Sequence, residues 1–221
     1  MKKILLIILA IIILIALAGI YKFNFTNDDI YVMDNGGKVM MIDDVTEEAV
    51  RGVAEEVLIA LNNNNVESFK KLVHPNKGVR FSSDGVIMIQ NDKKYTPSEI
   101  GKLIETNEVV LWGYADGSGR SINETFSEYI KQYSRVNYLK ASEISYNIQI
   151  RSNGANTISN IRDVYKNNQF MSYHYPYTST YKNNTGEEVI QPMSWTTLNL
   201  IFEEYDREYY LIGIVKDNWT I

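Results

Sequence analysis

An α+β domain behind an apolar leader is the fold class this sequence predicts. Three observations predict it. Residues 4–20 carry no polar side chain. Apolar residues recur at helical spacing through residues 44–73 and again through 96–133. From residue 144 onward the apolar period is mostly two. Helices first and strands later point to a curved antiparallel sheet with the N-terminal helices packed on one face.

The leader comes first. Lys2 and Lys3 precede seventeen apolar residues, a helix of roughly 26 Å at about 1.5 Å per residue. That length spans a bilayer core when Tyr21 and Lys22 sit at the interface. The lysines place the N-terminus inside and the remaining chain outside. This predicts a single-pass cell-membrane protein, its partner the membrane itself through residues 4–20. The alternative is a signal peptide cut near Ala18, since Ala16-Leu17-Ala18 is an A-x-A pattern, with secretion as the result. Leu17-Ala18-Gly19-Ile20 also has the form of a lipobox in which Ile20 stands where the lipid-bearing cysteine belongs. Residues 1–21 are therefore anchor or signal peptide, 22–45 a juxtamembrane segment, and 46–221 an extracytoplasmic domain.

Within 22–45, Asp34-Asn35-Gly36-Gly37 lies between two short apolar runs, the mark of a tight hairpin; a plain spacer is the alternative. Asp44 and Glu47 read as a capping box opening a helix with Val50, Val53, Ala54, Val57, Leu58 and Leu61 on one stripe. Asn62-Asn63-Asn64-Asn65 ends it, and a second helix covers 66–73 before His74-Pro75. Residues 79–82 and 86–90 around Ser83-Asp84-Gly85 read as a hairpin. Thr96-Pro97-Ser98-Glu99 opens a helix, 109–114 is a strand, and Ser121 with Glu124 caps a further helix. Residues 144–150 alternate as a half-buried strand, and 169–175 is another. A long loop covers 176–192. Two final strands, 196–203 and 209–215, meet at Asp206-Arg207.

Composition excludes several chemistries. The chain has no cysteine, so disulfides, thiolate metal sites and cysteine nucleophiles are out. Two histidines and no recognisable carboxylate motif leave no metal site and no cofactor to expect. Twenty-two basic residues less Lys2 and Lys3 leave 20 against 27 acidic ones, an ectodomain near −7. That balance disfavours a nucleic-acid partner.

Leu72-Val73-His74-Pro75-Asn76-Lys77-Gly78-Val79-Arg80-Phe81-Ser82 resembles a signature of small extracytoplasmic proteins of Gram-positive bacteria. So do Leu111 to Gly119 and the closing stretch from Leu211 to Ile221. The likeness covers roughly residues 45–221. Members of that group are often lipoproteins, an attachment that Ile20 does not allow here. The resemblance implies a location outside the cytoplasm and no particular chemistry. The element order is also similar to the cone-shaped nuclear transport factor 2-like superfamily. That likeness implies helices closing over a curved sheet around a pocket. The superfamily holds isomerases, dehydratases and many non-catalytic binding modules.

Candidate residues follow, each with two readings. His74 is a general base in a pocket, or a group closing the helix before Pro75. His174 faces a cavity and pairs with Asp116 or Asp217, or it is a sheet histidine among aromatics. Asp116-Gly117-Ser118-Gly119 is an ion-binding loop or an ordinary turn. Arg80 holds a ligand anion, or pairs with Glu124 or Asp217. Trp112, Tyr114, Tyr173, Tyr175, Trp195 and Trp219 line a cleft for a sugar or peptide, or pack the core. The expected function is a non-catalytic ectodomain in the cell envelope. Its ligand is a small molecule, a cell-wall fragment or an envelope protein. The rival is a pocket isomerase, dehydratase or hydrolase using a His–acid pair.

Overall fold

The computed structural model describes residues 31–33, 39–83, 85–115, 118–150, 159–191 and 194–218. The apolar leader at residues 4–20, Asp116 and Trp219 lie outside the described residues. Among those described, no helix is long and apolar enough to cross a membrane. The chain divides into two units, Met1–Thr46 and Glu47–Ile221. In the first, β1 (Tyr31–Met33) pairs antiparallel with β2 (Val39–Met41), the strands expected around Asn35-Gly36.

Helix α1 (Ile42–Asn62) starts three residues earlier than a cap at Asp44 would allow. Glu47 is therefore inside the helix, where it pairs with Arg51 one turn on. The apolar stripe is as the spacing predicts. Val50, Ala54, Val57, Leu58 and Leu61 are all buried. The larger of these side chains contribute roughly 1.5–3 kcal/mol each. Asn65 caps α2 (Val66–Leu72) by accepting from the Ser68 amide, and α3 (Pro97–Thr106) opens on the Thr96–Glu99 capping box.

Six strands form one sheet in the order β4-β3-β12-β11-β8-β7. They are β3 (Val79–Ser82), β4 (Lys93–Tyr95), β7 (Glu143–Tyr146), β8 (Gln169–Tyr175), β11 (Thr196–Tyr205) and β12 (Glu208–Asn218). All pairings are antiparallel except β3 with β12, which is parallel. The register of β11 with β12 shifts between Ile201 and Phe202, where Ile212 of β12 is the extra residue of a bulge. On one face Leu198, Leu200, Phe202, Met171, Tyr173, Leu211 and Ile214 pack with α1, α2 and α3. The opposite face carries a smaller cluster, Ile87, Ile161, Phe170, Ile201, Ile212 and Val215. Ile161 belongs to a one-turn helix, α5 (Ile161–Val164). Two-sided cover explains why β12 is apolar on both faces.

Four local expectations are corrected. Residues 86–90 are not a strand. Asp92 takes the Ser82 hydroxyl and the Met88 amide, and Asn91 and Asp92 amides bond back to Met88, so the segment turns. The partner of β3 is β4, three residues beyond. Residues 121–125 are not a helix start but β6 (Ser121–Thr125), paired with β5 (Val109–Tyr114). The capping box that operates is Thr125 with Glu128, opening α4 (Phe126–Tyr129), which runs on as a 3-10 turn through Ile130–Ser134. The strand expected over 144–150 stops at Tyr146. Asn147 there adopts φ +57°, and its side chain bonds the Phe170 amide and Gln169. Finally, the 176–192 loop contains a small hairpin, β9 (Thr180–Lys182) with β10 (Glu188–Ile190).

Candidate functional site

Trp112 is a core residue. Its ring stacks on Tyr129 at 3.7 Å and 4°, and Phe81 and Tyr95 meet it edge-on. Its indole N–H donates to the Glu124 carbonyl at 2.9 Å, tying β5 to β6. Tyr114 lies exposed at the end of the same strand. Trp195 is buried, with its ring 6.3 Å from that of His174. The aromatics thus divide among core, edge and one cleft wall, and do not form a single platform.

Both histidines are buried, each about 2% exposed. The His74 Nδ1 accepts from the Asn76 and Lys77 amides at 3.2 and 3.0 Å, closing the chain after α2. Its ring packs on Tyr205 at 5.0 Å. Burial holds its pKa below the usual value, with Glu203 pulling the other way. His174 Nδ1 shares a hydrogen bond with Thr197 Oγ1 at 2.7 Å. Burial lowers its pKa too, opposed by Glu143. His174, Thr197 and Asp217 stand in cross-strand register on β8, β11 and β12. One strand, β11, separates the histidine from the aspartate, two inter-strand spacings or about 9.6 Å at the backbone, and Thr197 occupies the gap. Among the described residues neither histidine hydrogen-bonds a carboxylate.

Arg80 donates to the Ile89 and Asp92 carbonyls at 3.0 and 3.3 Å, so its guanidinium braces the 86–92 turn. The pairing with Glu124 or Asp217 considered from sequence is replaced by these backbone bonds, because the turn brings two carbonyls to the guanidinium fork. Asp217 packs against Gly85, where a Cβ would lie 2.6 Å from the carboxylate carbon and φ is +73°. No group of three or more His, Asp or Glu capable of holding a metal occurs among the described residues.

What the fold assembles instead is a corner at the far end of the helix-covered face. Register places Lys216, Leu198, Tyr173 and Ile144 in one row across β12, β11, β8 and β7. Leu198 and Tyr173 are buried core residues, so Lys216 points its stem into the same layer. The 3-10 turn meets it through Gln132. Lys216 Nζ reaches Gln132 Oε1 at 3.5 Å. Burial first, and then the charge of Arg135, push the Lys216 pKa down to about 8. Arg135 also lines a cleft of about 370 Å³, together with Val136, Tyr175, Tyr177 and the 178–180 segment. The Tyr175 hydroxyl donates to the Asn137 carbonyl at 2.8 Å, fixing one wall to the other. The Thr178 hydroxyl donates to the Ser194 carbonyl and holds the rim.

Of the sequence candidates, Tyr175 alone lines this cleft; Tyr173, two residues earlier on β8, is a core residue. Lys216, Arg135 and Gln132 were not anticipated. One signal was available: period-two reading of β12 puts Lys216 in line with Ile214, an inward position, in an otherwise apolar strand.

No family model matches the chain, and no curated protein matches it. Solved structures do. The association domain of C. elegans CaMKII is similar over 80% of this chain and 98% of its own, at 7% identity and a TM-score of 0.35. An uncharacterized protein with a cystatin-like fold from Caulobacter vibrioides is similar over 79% of this chain and 89% of its own, at 11% identity and 0.33. An NTF-2 like protein of unknown function from Shewanella oneidensis MR-1 is similar over 80% and 98%, at 9% identity and 0.28. Likenesses this distant carry no functional argument. The α+β class stands on the chain's own helices and curved sheet.

Proposed function

We propose that this chain is a non-catalytic binding domain of the cell envelope, of the nuclear transport factor 2-like kind. In this reading the apolar segment at residues 4–20 tethers it to, or exports it across, the cytoplasmic membrane. The observation that carries the binding role is the open cleft at Arg135, Tyr175 and Tyr177, with its walls fixed by backbone-directed bonds. Pre-formed concave sites with a few polar groups suit small ligands. The pocket-enzyme reading draws less support, since the His74 and His174 Nδ1 atoms are engaged by amides and a hydroxyl.

The test uses the full chain in neutral detergent and in its native host. A panel of cell-wall fragments and metabolites is screened by tryptophan fluorescence and melting temperature. In parallel, a photo-crosslinking residue at Tyr177 is compared with one at exposed Glu105. A ligand shift, or an envelope protein captured from position 177 and not from 105, is the expected result. No shift across the panel together with no specific crosslink would overturn the reading.

A further inference from the structure

The corner where α1 turns into α2 holds a second cleft, of about 280 Å³. Local bonds fix its shape. The Asn63 amide donates to the Ile59 carbonyl at 3.1 Å and the Asn65 amide to the Ala60 carbonyl at 2.8 Å, while Asn64 takes a φ of +51° to make the turn. Asn65 Oδ1 accepts from the Ser68 amide at 3.0 Å. Buried Ala60 and Leu61 on one side and Phe69 on the other anchor both helices in the core. A cleft held in this way needs little ordering before a ligand enters.

Glu56 of α1 and Lys71 of α2 both line it. Neighbouring charges on the same helices are paired, Glu47 with Arg51 and Glu67 with Lys70. Glu56 has no such neighbour: the positions three and four residues from it are Gly52, Val53, Ile59 and Ala60. Among the described residues, Glu56 and Lys71 form no ion pair with each other or with any other group. The cleft thus presents a carboxylate and an ammonium that stand apart. A ligand with one charge would satisfy one of them; a zwitterion satisfies both. Asn65 spends its side-chain oxygen on the helix cap, which leaves its amide N–H groups as further donors. Beside these polar groups lies an apolar side, with Leu72 half-buried and Ile59 still 48% exposed. An aliphatic group laid there would remove that surface from water.

We infer that the α1–α2 cleft binds a small apolar amino acid. Glu56 takes the α-ammonium, Lys71 and the Asn65 amide take the α-carboxylate, and Ile59 and Leu72 cover the side chain. This goes beyond the reading above. It uses none of the residues of the Arg135–Tyr177 cleft and does not rest on that site.

L-leucine is the probe. L-leucinamide keeps only its cation, and its α-hydroxy acid analogue keeps only its anion. Each is titrated calorimetrically into the full chain in neutral detergent at about pH 6.5, where α-ammonium groups are protonated. Leucine is expected to bind about tenfold or more tightly than either analogue, the scale of one charge-assisted hydrogen bond. Glu56→Gln should weaken leucine and leucinamide by about tenfold and leave the hydroxy acid unchanged. Lys71→Met should weaken leucine and the hydroxy acid by about tenfold and leave leucinamide unchanged. Both residues are exposed and both replacements are good helix formers, so the variants retain the fold, as circular dichroism will verify. No leucine binding at tens of millimolar, leucine no tighter than its analogues, or a leucine affinity unchanged by either substitution would each overturn the assignment. The crosslink at position 177 reads the other cleft, so failure here and failure there are told apart.

Discussion

Replacing Lys216 with methionine should stabilise this protein, although the residue is packed in the sheet. The lysine pKa falls from 10.5 to about 8 on folding. At about 1.4 kcal/mol per unit, the charged form costs the fold about 3 kcal/mol at neutral pH. The direction follows from proton counts. Between pH 8 and 10.5 the unfolded chain binds the proton and the folded chain releases it, so stability rises with pH across that window. Below pH 8 the full penalty applies; above 10.5 it is gone. Methionine keeps the unbranched stem and carries no charge. Against a gain of about 3 kcal/mol stands a long bond to Gln132, worth about 0.5 kcal/mol. Urea denaturation of both proteins at pH 7 and pH 11 checks this. The variant should be more stable by about 2–3 kcal/mol at pH 7 and by about nothing at pH 11. Lower stability at pH 7, or a gain that persists undiminished at pH 11, would refute the claim that the buried charge is the cost.

Three other outcomes follow from the same structure. Tyr173→Phe should raise stability by about 1 kcal/mol, because the hydroxyl is buried without a hydrogen-bond partner; a loss in thermal unfolding would mean that the hydroxyl is bonded in solution. Gly78→Ala should cost about 3 kcal/mol or more, since φ is +69° and a Cβ would lie 2.3 Å from the Tyr95 carbonyl oxygen; an unchanged denaturation midpoint would contradict the close approach. Stability should fall as pH drops below about 6.5, because His74 and His174 both have depressed pKa values and the unfolded chain takes up the proton first. The slope is up to about 1.4 kcal/mol per pH unit for each histidine. His74→Asn preserves an acceptor for the Asn76 and Lys77 amides, so it should flatten the acid limb; an unaltered slope would count against that.

The elements legible in the sequence are those whose signals are local. The α1 stripe and the Thr96–Glu99 box depend on residues within a turn or two, and Asp206-Arg207 marks its hairpin by taking two positive φ angles. Competing local signals misled. Ser121–Glu124 and Thr125–Glu128 both fit a capping box, and pairing of β6 with β5 selects the second. The site was largely hidden because it is made by register. Lys216 meets the core face only because the Ile201–Phe202 bulge shifts β11 against β12 before Leu198 comes opposite it. Arg135 arrives from a 3-10 turn some eighty residues earlier, a juxtaposition no period can reveal. The histidines were legible as unusual residues, but their partners, a hydroxyl on β11 and two backbone amides, are not written in spacing.

The parallel pairing of β3 with β12 has a bearing on biosynthesis. β12, the latest in chain order of the six strands in this sheet, is an interior member, hydrogen-bonded to β11 on one side and to a strand from the first half of the chain on the other. A polypeptide halted before residue 208 has a sheet split in two, with β3–β4 cut off from β7, β8 and β11. Such truncated chains should be rapidly degraded, because the six-stranded sheet is joined only once β12 has been made.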